Sequence, residues 1–98
     1  MLDKAAASEL ALYTENTRQV YDNATVPTIQ SLEKKFRKGN YDSAKAVKAW
    51  EYVAEYAAKL YHKEFGGSCR WFDVFNAATR HAVAVYLESV YFNEYINA

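Results

Sequence analysis

The sequence predicts an all-α fold, a small four-helix bundle-like domain spanning residues 1–98, and three observations carry that prediction. Apolar side chains recur at three- and four-residue spacing along most of the chain, which is the period of a helix face. Glycine and proline are rare, three and one in 98 residues, and they stand where such helices would break. No segment shows a convincing strand pattern. About half the residues (51%) are hydrophobic, enough for one core without a metal or a disulfide to hold it.

The first helix is expected over residues 3–24. Ala5, Ala6 and Ala7 favour helix, and Leu10, Tyr13, Thr17, Val20, Tyr21 and Ala24 share one face. Asp3 lies at the positive end of its dipole, where an anion stabilises. A second helix is expected over 27–38: Pro27 suits a first turn, where its missing N–H has no helical partner, and Ile29, Leu32 and Phe36 form the stripe. Lys35, Arg37 and Lys38 followed by Gly39 make a matched stop signal.

The third helix, 42–65, carries the clearest pattern. Asp42 can cap a run through Ala44, Val47, Trp50, Ala54, Ala57, Tyr61 and Phe65, ending at Gly66-Gly67. Glu55 and Lys59 stand acid-before-base at four-residue spacing, the favourable order. A Gly-Gly-Ser loop leads to the fourth helix, 74–96, with Asp73 or Asn76 as cap. Residues 82–87 (Ala-Val-Ala-Val-Tyr-Leu) are apolar on every side, which predicts a central or sandwiched helix. Val and Tyr also suit a strand there, but the alanines and the length of the pattern favour helix. Helices two and three should form a hairpin.

Lysine plus arginine equals aspartate plus glutamate, so formal net charge is zero. That excludes a uniformly basic nucleic-acid coat and a strongly acidic nucleic-acid mimic. Nine Tyr, five Phe and two Trp are a heavy aromatic load; tyrosine buries a ring while its hydroxyl stays wet, which suits a thin core or a contact surface. Cys69 is alone and cannot form an internal disulfide. Residues 1–10 hold Asp3, Lys4 and Glu9 and no signal-like apolar core, and no long apolar run follows. A cytoplasmic protein with no membrane contact is expected.

Charge is nevertheless uneven. Residues 1–24 sum to −2, residues 25–48 to +4 and residues 49–98 to −2. Lys34, Lys35, Arg37, Lys38, Lys45 and Lys48 make the positive block, and in a hairpin they could form one patch that meets phosphates or an acidic protein. Tyr41, in the intervening turn, could stack on a base. Lysines at a helix C-terminus are also ordinary dipole compensation, and no recognition-helix signature separates the two readings.

Other chemistry has thinner support. His62, Cys69 and His81 lack the pairing that a zinc site requires, so no metal and no cofactor is expected. Cys69 with either histidine names two members of a thiol site without an orienting third group. Ser68 lacks the strand–turn–helix of a nucleophile elbow, and Gly66-Gly67-Ser68 lacks the length and following lysine of a phosphate loop. No catalytic residue is assigned. Arg80 falls early in the last helix, where the dipole disfavours a cation; a carboxylate such as Asp73, or one from another helix, is its expected structural partner, and a ligand anion the functional alternative. Tyr52 with Tyr56, and Tyr91 with Tyr95, stand four apart, as core rim or as protein-contact residues.

Gly39-Asn40-Tyr41-Asp42, Ala46-Val47-Lys48-Ala49-Trp50, Tyr52-Val53, and Lys59-Leu60-Tyr61-His62-Lys63-Glu64-Phe65, with Phe75, Arg80 and Ala84 spaced beyond, form a pattern over residues 39–92. In it the chain resembles small uncharacterised proteins encoded by bacteriophages. The resemblance implies a short viral accessory protein and brings no activity with it. The expected function is a small non-enzymatic interaction protein that binds a host or viral protein, or a second copy of itself. The alternative is a nucleic-acid-binding module built on residues 34–48.

Overall fold

The computed structural model describes residues 2–97, and every regular element among them is helical, in line with the all-α class. In order these are α1 (Lys4–Asn16), α2 (Arg18–Val20), a π-helical turn (Tyr21–Thr25), α3 (Val26–Arg37), α4 (Ser43–Phe65), α5 (Trp71–Val74), α6 (Ala77–Tyr91) and a closing π turn (Phe92–Ile96).

Helix α4 starts and stops where its sequence says it should. Oδ1 of Asp42 accepts the N–H groups of Ala44 and Lys45, at 2.9 and 3.3 Å, satisfying two donors that the first turn leaves without helical partners. At the far end the Gly66 N–H bonds to the His62 carbonyl, and a Cβ on Gly66 would collide with that carbonyl and the imidazole ring. The stop after α3 also follows the sequence. Gly39 takes φ +76, its N–H bonds to the Phe36 carbonyl, and the Asn40 N–H reaches back to Lys35, a Schellman arrangement that only glycine adopts without strain.

The buried face of α4 is Ala46, Trp50, Val53, Ala54, Ala57 and Ala58. Four of these six are alanine, so neighbouring backbones can come close and make many short contacts. Helix α6 lies antiparallel along this face. Tyr61 meets Phe75 edge-on at one end (5.1 Å), and Trp50 stacks on Tyr91 at the other (4.9 Å, 15° between planes). Helix α1 packs on both through Leu10 and the flanking alanines, and α3 closes the other end through Ile29 and Leu32. The Cα extents, 45 × 27 × 16 Å, describe a thin slab. Few positions in such a slab are fully covered, which explains the tyrosines along its edges.

Two expected boundaries are corrected. The break expected at Pro27 falls instead at Thr17, whose extended backbone (φ −101, ψ 114) separates α1 from a helical rod that continues from Arg18 to Arg37. Asn16 and Thr17 are weak helix formers whose short polar side chains compete for backbone bonds. The rod passes through Pro27 because the preceding turn is π-helical. The Val26 N–H bonds to the Tyr21 carbonyl five residues back, and the wider turn makes room for a proline in the first turn that follows.

The last helix begins at Ala77, not at residue 74. Asn76, not Asp73, caps it by accepting the Thr79 N–H at 2.9 Å, while α5 forms a separate single turn. The helix is also less enclosed than its composition suggested, since Val85 and Tyr86 are each 45% exposed. Phe65, expected on the core stripe, is the last residue of α4 and is mostly exposed.

Trp50 is the largest fully buried side chain, and its Nε1 finds no hydrogen-bond partner among the described residues. Its value to the fold is therefore ring packing. Trp50→Ala should destabilise the protein by about 3–5 kcal/mol, read from the urea midpoint, whereas Trp50→Phe should keep most of the stability because it retains an aromatic ring and removes an orphaned donor.

Candidate functional site

Tyrosine–glutamate bonds organise the surface. Tyr13 in α1 donates to Glu64 in α4 (3.2 Å), and Tyr61 in α4 donates to Glu9 in α1 (2.5 Å). Tyr86 in α6 donates to Glu15 in α1 (3.1 Å), and Tyr41 in the α3–α4 turn donates to Glu88 in α6 (2.7 Å). Each joins elements far apart in the chain, and three of the four tie down α1. The phenols respond accordingly. Burial, then the Glu64 bond and charge, raises the pKa of Tyr13; burial and then Glu88 raise that of Tyr41 well above the ordinary 10.0. The bond to Glu9 leads for Tyr61, and that to Glu15 for Tyr86, both upward.

Between these latches α1 presents Leu12, 62% exposed, as a ridge with a groove on either side. The first, about 390 Å³, runs between α1 and α6 and is lined by Ala7, Ala11, Leu12, Glu15, Val83 and Tyr86. The second, about 420 Å³, runs between α1 and the end of α4 and is lined by Glu9, Leu12, Tyr13, Thr17, Tyr61 and Phe65. Phe65, 64% exposed, forms the wall opposite Leu12. The lining is mostly apolar and includes Glu9 and Glu15, while Glu64 accepts from Tyr13, a residue of the second groove.

Sequence reasoning missed this surface. Leu12 lies outside the repeating stripe of α1, and a large apolar residue on the solvent face of a helix was the available signal.

The tyrosines proposed as protein contacts divide. Tyr52 is exposed and lines a small groove with Glu51, Glu55, Ala77 and Arg80. Tyr56 is half-buried, and its oxygen accepts from Asn23 and Gln19, bonds that lower its pKa in that order. Tyr91 is a core residue stacked on Trp50, with its pKa pushed up to about 12, mainly by burial, so it offers no contact surface. Tyr95 remains at the exposed edge, stacked on Tyr91.

The basic segment is brought together in part. Lys35, Lys38 and Lys45 line one pocket at the α3–α4 elbow, while Lys34, Arg37 and Lys48 are exposed outside its lining. Tyr41 is not a free stacking platform. Its ring packs against Phe92 (4.8 Å) and Phe36 (6.1 Å), because the turn folds back over the closing π turn.

Among the described residues no carboxylate lies within ion-pair distance of Arg80. Nη1 donates to the Phe75 carbonyl (2.6 Å), the guanidinium lies over Trp71 (5.0 Å), and Asp73 pairs with Arg70 instead. Lys59 reaches the same indole (5.1 Å), so Trp71 meets two cations. His81 contacts Glu51 (2.9 Å), and Cys69 is exposed in the loop before α5. Among the described residues no group of three or more His, Cys, Asp or Glu is placed to hold a metal, and no helix is long and apolar enough to cross a membrane.

No family model matches the chain, and no curated protein and no solved structure matches it either.

The latches carry a pH dependence with a definite sign. A phenol that holds its proton more tightly when folded stabilises the fold fully below the unfolded value of 10.0 and loses that contribution as pH rises through the folded value. The urea midpoint should therefore hold up to about pH 9 and fall above pH 10, and Tyr41→Phe should make the fall shallower. A midpoint that rises above pH 10 would contradict this.

Proposed function

We propose that this is a non-enzymatic interaction protein whose α1 surface receives an amphipathic, cationic segment of a partner protein. One observation carries the reading: Leu12 and Phe65, both more than 60% exposed, face a continuous apolar groove. Large apolar side chains in clefts, rimmed by polar groups, are the ordinary signature of a helix-in-groove contact. The rim selects the partner's charge. Glu9, Glu15 and Glu64 are held in place by tyrosyl donors, and lysine or arginine flanking the partner's apolar side chains would complement them.

A second copy of the chain fits this face less well. A two-fold contact through α1 would place the carboxylates of each copy against those of the other. The resemblance to small bacteriophage-encoded proteins gives the proposal a setting, a viral accessory factor acting on a host or viral protein in the host cytoplasm.

A designed leucine–lysine helical peptide and its leucine–glutamate counterpart test the proposal by fluorescence anisotropy. The cationic peptide should bind, and Leu12→Asp should weaken it about tenfold or more with little effect on thermal stability, since Leu12 is mostly exposed. Equal binding of both peptides, or binding indifferent to Leu12→Asp, would remove the α1 surface as the site.

A further inference from the structure

The α3–α4 elbow gathers three lysines around a single acid, Asp42. Lys35 and Lys38 from the end of α3, Lys45 from the first turn of α4, and Asn40 from the turn between them line a pocket of about 290 Å³ over Leu32. Four cations elsewhere are engaged: Arg18 by Asp22, Lys59 by Glu55, Arg70 by Asp73, and Arg80 by a carbonyl and an indole. None of Lys34, Lys35, Arg37, Lys38, Lys45 and Lys48 has a salt bridge among the described residues.

Compensation of the α3 carbonyls does not account fully for the cluster. The Lys34 carbonyl already accepts the Lys38 N–H (3.2 Å), that of Lys35 accepts Asn40 (2.8 Å), and that of Phe36 accepts Gly39 (3.0 Å). Asp42 is the acid in the lining, and its Oδ1 is turned to the start of α4 as a cap. Three ammonium groups around one pocket repel each other, and a multivalent anion seated between them would turn that repulsion into attraction.

We propose that this pocket binds a short polyphosphate chain, with Lys35, Lys38 and Lys45 donating to its oxygens. The chain could be inorganic or the tail of a nucleotide. The phosphates are the recognised part, because Tyr41, the aromatic in the turn between α3 and α4, is packed on Phe36 and Phe92 and bonded to Glu88. The site is separate from the α1 grooves and stands or falls independently of them.

Titration calorimetry at low salt tests the proposal, with inorganic tripolyphosphate and ATP as probes and a single-stranded oligonucleotide as competitor. Tripolyphosphate should bind saturably at one site per chain. The double variant Lys38→Gln/Lys45→Gln should weaken it about tenfold or more, and Lys63→Gln, a lysine elsewhere on the surface, should not. ATP should bind within about threefold of tripolyphosphate. Absent saturable binding, equal loss in the Lys63→Gln control, or ATP tighter by about tenfold would overturn the proposal. Binding of the oligonucleotide alone would overturn it in favour of a surface that tracks a nucleic-acid backbone.

Discussion

The contact between α4 and α6 is the constraint on which the rest of the structure depends. A helix of 23 residues with Ala46, Ala54, Ala57 and Ala58 on its buried face lets its neighbours approach closely. Alanine alone buries little area, so the seam needs large residues at its ends. Trp50 on Tyr91 supplies one, and Phe75 on Tyr61 the other. The first pair is buried on both sides and rests on ring stacking; the second passes outward into the tyrosine–glutamate latches. Helix α1 docks on the finished pair, and the rod ending in α3 covers the half that contains Trp50.

Tyrosine links this core to the surface. In a slab this thin, aromatic rings that pack inward must carry their polar end to the edge, and the glutamates of neighbouring helices are waiting there. Each latch fixes both partners, so the carboxylates around the α1 grooves are positioned as well as charged. Leu12 stands outside this economy: no latch or core contact requires a leucine on that ridge, and its exposure is therefore informative. The elbow shows the opposite imbalance, with three lysines lining a pocket whose one acid, Asp42, serves as the cap of α4. The acidic α1 rim and the basic elbow give a neutral chain two surfaces of opposite sign.

Much of the helical frame was legible in the residues. Asp42, Gly39 and Gly66 marked ends that the structure reproduces, because capping is local chemistry. Pro27 misled because its cost depends on the turn before it, and a π turn cannot be read from spacing. The break at Thr17 carries no glycine or proline; only the weak propensities of Asn16 and Thr17 hinted at it. The convergence of Lys35, Lys38 and Lys45 followed from the hairpin, but the loss of Tyr41 to Phe36 and Phe92 did not, since it depends on where residue 92 returns in space. The α1 grooves were least legible. They arise from the distances between three helices, and Leu12 taken alone looks like an ordinary surface leucine.

Native-state hydrogen exchange, followed amide by amide, tests the primacy of the α4–α6 seam most directly. Amides of residues 53–58 and 83–87 should exchange only through global unfolding, while those of α1 and α3 open earlier and at lower free energy. Slower exchange in α1 or α3 than in the middle of α4 would show that the fold is held elsewhere.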